Sequence, residues 1–78
     1  MDIKVLGPGC NNCVRLEANT REALDALGRT ASIEKVTDIG EIVGYGVMST
    51  PGLVVDGTVV VSGRVPSVDD LRLLIEAS

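Results

Sequence analysis

The stretch LVVDGTVVV, residues 53–61, constrains this chain more tightly than any other. Two valine-rich runs flank Asp56-Gly57. Asp-Gly suits the type I′ hairpin turn, in which both central residues take positive φ. Two antiparallel strands therefore close the sheet late in the chain, and the rest must supply their neighbours and cover. DIKVLG (2–7) is a short apolar run ending at Gly7-Pro8-Gly9 and predicts a first strand. From Cys10 or Asn11 to about Leu27 the pattern turns helical, with Cys13, Leu16, Thr20, Leu24 and Leu27 recurring three or four apart and Gly28 at the stop position.

ASIEKV (31–36) predicts a second strand. Asp38 with Glu41 fits a capping box that opens a short helix over DIGEIVGYG, and Gly40 and Gly44 weaken it by about 1 kcal/mol each relative to Ala. Ser67 and Asp70 cap a last helix, VDDLRLLIEA, behind Pro66. The order is β-α-β-α-β-β-α. A helical crossover makes the first two strands parallel, and the hairpin makes the last two antiparallel. The expected fold class is α/β: a mixed four-stranded sheet in a three-layer α/β/α sandwich, one domain over residues 1–78.

Composition narrows the functions. The chain has 78 residues, a net charge of −4 and a single aromatic residue, Tyr45. Nucleic acid and anionic lipid both call for Lys/Arg patches, and single-stranded nucleic acid for aromatic stacking platforms. Neither nucleic acid nor a membrane is an expected partner. MDIKVLGPG lacks the charged and apolar regions of a signal peptide, and no run reaches the ~18 apolar residues of a span. The expected location is the cytoplasm, where thiols stay reduced.

The chemistry is concentrated in GPGCNNC (7–13), which holds the only two cysteines in a chain without histidine. As a structural staple the pair is weak, because closing so short a loop stabilises by only about 2 kcal/mol. With Cys10 at a helix N-cap, Cys13 falls one turn further along the same face, within disulfide reach. Unpaired N–H groups and the positive end of the helix dipole favour a thiolate at Cys10. A free thiol is only about 3% ionised at pH 7, whereas a pKa near ~7 makes it about half ionised. Cys10 is then the attacking cysteine and Cys13, facing the core, the resolving one. Gly7 and Gly9 serve as turn glycines, with Gly9 also placed where a substrate approaches. Asn11 and Asn12 set the polarity around the sulfurs. Arg15 is expected to be solvated and Lys4 to snorkel to water.

GC-x-x-C after the first strand, together with YGVMSTPGLVVDG (45–57) ahead of the hairpin, resembles the thioredoxin-like fold. The short length is most similar to the small archaeal and bacterial thioredoxin/glutaredoxin-like proteins called redox-active disulfide proteins. The resemblance implies that Cys10 is the nucleophile, Cys13 the resolving cysteine, Pro51 a cis-proline and Thr50 the residue whose backbone pairs with substrate chains. Gly9, Asn11 and Asn12 complete the substrate-facing set. Departures are plain: Asn-Asn stands where thioredoxins carry Gly-Pro, no tryptophan precedes the motif, and Lys4 stands near the place of their buried aspartate. SGRVPSVDD (62–70) offers Gly63 but not the Gly-Gly-Asp with which glutaredoxins hold glutathione.

The leading reading is a dithiol–disulfide oxidoreductase that needs no cofactor and no metal. It acts as a monomer on protein disulfides and is recharged by a reductase that the sequence does not name. The alternative is a soft-metal protein holding a Cu(I)-type ion on the same two thiolates. A metallochaperone of this size would carry Met where Pro8 stands and a β-α-β-β-α-β order. A structural zinc site wants four ligands. A binding module that has kept the fold is a third reading, against which the two surviving cysteines argue.

Overall fold

A computed structural model describes residues 1–77. The elements are β1 (Asp2–Leu6), α1 (Asn11–Leu27), β2 (Ser32–Val36), α2 (Ile39–Gly44), β3 (Gly52–Val55), β4 (Thr58–Ser62) and α3 (Val68–Glu76). The order agrees with the sequence reading. The strands form one sheet in the order β2-β1-β3-β4, with β1 parallel to β2 and antiparallel to β3, and β3 antiparallel to β4.

Alternation along β1 sorts residues to the two faces. Ile3 and Val5 join Leu16, Ala23, Leu24, Leu53, Val55, Val61, Leu71 and Ile75 in the larger core, between the sheet and the helices α1 and α3. Leu6 joins Val36, Ile42, Val47 and Val54 under α2 on the other face. Helices thus cover both sides of the sheet, as the three-layer reading requires.

The hairpin turns as expected, with φ of 48° at Asp56 and 84° at Gly57. Its register is less regular than the alternating valines imply. Val54 pairs with Val59 and Leu53 with Val61, leaving Val60 as an extra residue in a bulge. Val59 and Val61 share parity, yet one packs under α2 and the other under α1 and α3. The bulge makes that possible, since one inserted residue moves everything after it to the opposite face.

The caps show how local sequence sets element ends. Ser67 Oγ accepts from Asp70 N–H at 3.1 Å, as its spacing implies. Asp38 caps α2 through Gly40 N–H at 2.9 Å, and the reciprocal Glu41 bond of a capping box is not made. Gly28 closes α1 by donating to Asp25 O. β1 stops at Leu6, one residue short of the expected end, although Gly7 N–H still reaches Val36 O at 2.9 Å.

Leu16 is fully buried where α1 meets the sheet, whereas Leu73 on α3 is two-thirds exposed. Leu16→Ala should cost about 2–5 kcal/mol and Leu73→Ala less than about 0.5 kcal/mol, read as shifts in equilibrium urea unfolding. Equal costs would mean that α1 does not pack as described.

Candidate active site

The turn from β1 into α1 places the two cysteines. Cys10 is the N-cap of α1, extended at φ −68° and ψ 168°, so its side chain turns back toward the first-turn N–H groups. Cys13 N–H donates to Cys10 Sγ at 3.4 Å, a position where Ser or Asp oxygens usually accept. Cys13 begins the apolar stripe of α1 and is carried inward with Leu16, Thr20 and Leu24. Both are free thiols, Cys10 exposed and Cys13 buried. Their Sγ atoms share a hydrogen bond of 2.7 Å.

That geometry makes the sulfurs unequal. The hydrogen bond from the Cys13 side chain holds Cys10 below the ordinary thiol range, with the backbone N–H of Cys13 and, to a smaller degree, of Asn12 adding to it. Burial pushes the Cys13 thiol up, and the proton it keeps for Cys10 raises it further. Cys13 therefore stays a thiol and donates, while Cys10 is the sulfur that ionises first.

Gly7 lies in the expected bend with Gly9 and carries a second constraint. A Cβ there would overlap Cys13 Sγ and lie 3.8 Å from Thr50 Cβ, so the buried sulfur packs on its bare backbone. Gly9 turns the chain at φ 89°. Thr50 flanks the same spot from the loop before β3, and the Thr50–Pro51 peptide is cis. Pro51 is buried while Thr50 is exposed. Gly63 supports that loop from behind: its N–H donates to Pro51 O at 2.8 Å, its φ is 75°, and a Cβ there would sit 2.8 Å from Ser49 Cβ.

The remaining singled-out residues separate clearly. Gly9, Asn11 and Asn12 are exposed beside the cysteines, and Asn12 bears on Cys10 through its backbone rather than its amide. Arg15 is exposed. Lys4 does not snorkel freely. It lies on the α2 side of the sheet, bonded to Asp2 at 3.2 Å and to Glu34, its cross-strand partner, at 3.4 Å. Both partners raise its pKa, Asp2 most of all.

Two features escaped the sequence reading. A crevice beside Cys13 also reaches Glu17 and Lys35, and the four-residue step from Cys13 to Glu17 was its visible sign. On the other flank, Ile39, Val43 and Met48 are exposed, and they border a depression shared with Pro8 and Thr50. An exposed apolar pair on a short glycine-containing helix was the sign there.

An exposed cysteine capping a helix after the first strand, with a buried partner one turn on and a sheet covered by helices on both faces, is the arrangement of a thiol–disulfide exchange protein of thioredoxin-like fold. Known proteins agree. A family model described as a thioredoxin domain matches residues 1–76. A thioredoxin of Methanothermobacter thermautotrophicus is 40% identical over 75 residues, covering 96% of this chain and 97% of the relative. A thioredoxin of Methanocaldococcus jannaschii is 39% identical over 70 residues, covering 90% and 80%. The chain belongs to the thioredoxin-domain family and is a dithiol–disulfide oxidoreductase. The family match and both relatives point to thioredoxin chemistry, so the metal-binding alternative is not supported; among the described residues no group of three or more Cys, His, Asp or Glu gathers. Among them also, no helix is long and apolar enough to cross a membrane.

Two outcomes test this geometry. Alkylation of the reduced protein should fall first on Cys10, with a pH midpoint below that of free cysteine because its pKa is depressed, and on Cys13 only at higher pH. Peptide mass spectrometry across a pH series reads both. Gly7→Ala should displace the Cys13 sulfur, destabilising the reduced protein by about 1–3 kcal/mol and slowing closure of the disulfide; an unchanged closure rate would deny the close approach its importance.

Proposed function

We propose that the chain reduces disulfides in partner proteins, with Cys10 as nucleophile and Cys13 as resolving cysteine. The observation that carries this reading is the asymmetry of the pair: an exposed sulfur biased toward thiolate, and a buried thiol held 2.7 Å behind it. Cys10 thiolate attacks one sulfur of a substrate disulfide, and the other leaves as a thiolate that takes a proton from water. Cys13 then loses its proton and attacks Cys10 Sγ. The internal disulfide forms and the substrate's second sulfur departs. Two electrons pass from the dithiol to the substrate, and an external reductase restores them.

Substrate binding falls to the rim of this pair. The exposed Thr50 offers backbone groups to an extended chain, above a loop fixed by the buried Pro51. The exposed Gly9, Asn11 and Asn12 lie next to the cysteines along the chain and bring no charge to the rim. The apolar flank of Ile39, Val43 and Met48, which shares a depression with Pro8 and Thr50, supports a protein substrate over a small thiol. The working unit is one domain over residues 1–78, acting as a monomer in the cytoplasm.

Cys10→Ser should abolish turnover of a model protein disulfide such as insulin. Cys13→Ser should accumulate a mixed disulfide through Cys10 that gel electrophoresis without reductant captures. Normal turnover by the Cys13 variant would overturn the two-cysteine mechanism.

A further inference from the structure

The segments that surround the dithiol carry almost no formal charge. Residues 7–16, 42–55 and 57–68 hold only Arg15 and Arg64, in a chain whose net charge is −4. Both arginines are exposed. The other basic side chains are engaged. Lys4 bonds Asp2 and Glu34, Lys35 Nζ and Arg21 Nη2 each meet Glu17 at 3.1 Å, and Arg72 meets Asp69 at 3.6 Å. Arg29 donates to Ile75 O. Among the described residues, Arg15 and Arg64 form no ion pair and no side-chain hydrogen bond.

Packing brings the two to one side of the site. β4 ends at Ser62, opposite Gly52, so Gly63 emerges beside the loop at Pro51, whose carbonyl takes its N–H. The chain then crosses toward α1, where Asn19 Nδ2 donates to Pro66 O at 3.1 Å. Arg64 lies between those two anchors. Arg15 precedes Asn19 by four residues, one turn nearer Cys10 on the same helix face. Arg15 and Arg64 thus flank the gap between the first turns of α1 and the 63–66 segment. That gap is on the side of α1 and α3, whereas Ile39, Val43 and Met48 stand on the side of α2. The next acids along the chain, Asp69 and Asp70, follow Pro66 in the first turn of α3, and Asp69 is taken by Arg72.

We propose that Arg15 and Arg64 are specificity-determining residues that select protein disulfides with an acidic side chain a few residues from the attacked cysteine. The inference rests on the reading of Cys10 as nucleophile toward protein disulfides. A substrate chain lying against Thr50 then has the apolar flank on one side and the two arginines on the other. Arginine suits this task, because its planar fork takes a carboxylate through two parallel hydrogen bonds. The thiolate bias of Cys10 comes from Cys13 and from backbone N–H groups. Neither cation is required by the sulfur, and both stay open to substrate. The acidic remainder of the chain repels the same carboxylate that this end attracts, which orients the encounter.

Peptide disulfides of one sequence, differing only in Glu, Gln or Lys near the attacked cysteine, test this. In single turnover, the reduced protein should react with the Glu peptide about five-fold faster than with the Gln peptide, and with the Lys peptide slowest. Arg15→Gln and Arg64→Gln should each cut the Glu/Gln ratio by about half, and the double variant should bring it to about one. Arg29→Gln, an equal change of charge at the far end of α1, should leave the ratio intact. Added salt should shrink the ratio in the parent. Thermal melts establish that each variant is folded. A ratio near one in the parent, or an equal loss in Arg29→Gln, overturns the proposal. So does a preference confined to small carboxylate disulfides such as dithiodipropionate, which would assign the arginines to a low-molecular-weight substrate. Equal rates with all three peptides leave the thiol chemistry standing, whereas no reaction with any of them overturns the reading of Cys10 as well.

Discussion

The packing of Cys13 against the bare backbone of Gly7 is the contact on which the redox site depends. It fixes where α1 begins relative to the end of β1, because Gly7 is also tied to β2 through Val36 O. With Cys13 pinned inward, the residue three positions earlier has to be the N-cap, out in solvent and above the free N–H groups of the first turn. Burial of one sulfur and exposure of the other are thus a single event, and the chemical difference between them follows. The buried thiol keeps its proton because desolvation penalises its anion, and that retained proton is what stabilises the anion on Cys10.

Local signals in the sequence carried most of the architecture. Asp56-Gly57, the cysteine–leucine stripe of α1 and Ser67 before α3 each act through groups a few residues apart, and each element formed where its signal stood. What stayed hidden depended on contacts between segments. The bulge at Val60 is invisible in a run of identical residues, since all three valines suit either face. Gly7 showed as a turn residue, but its second constraint, a sulfur six residues later, exists only once α1 is docked. Lys4 looked solvated because its partner Glu34 lies on another strand. Spacing put Glu17 one turn after Cys13, but its meeting with Lys35 was hidden for the same reason, since Lys35 arrives from another element.

Charge is distributed so that this acidic chain leaves the dithiol between two local ion-pair systems on opposite faces of the sheet. Lys4 with Asp2 and Glu34 occupies the α2 side, and Lys35 with Glu17 and Arg21 the α1 side. Exposed pairs of this kind add little to stability, of order 0–1 kcal/mol each. Their consequence is electrostatic instead. Neither system leaves a bare cation against Cys10, so the anionic bias of that sulfur comes from hydrogen bonds and the helix terminus rather than from a charged partner. A bias built from the Cys13 thiol's hydrogen bond, with backbone N–H groups adding to it, acts at contact distance, where salt screens little.

The two faces of the sheet also differ in how firmly they are held, and the site lies on the seam between them. α1 and α3 cover a core of ten buried residues, whereas α2 covers one of five. α2 is six residues long and has glycines at 40 and 44, each costing about 1 kcal/mol relative to Ala. Elements with little buried apolar surface and poor intrinsic propensity open most readily. The sulfurs therefore ride on the firm side, through α1, while the apolar flank of Ile39, Val43 and Met48 rides on the soft side. Exchange needs the sulfurs held closely in place, whereas the docking proposed for the apolar flank needs side chains that adjust. A fold with a larger core on one face and a smaller one on the other is suited to both.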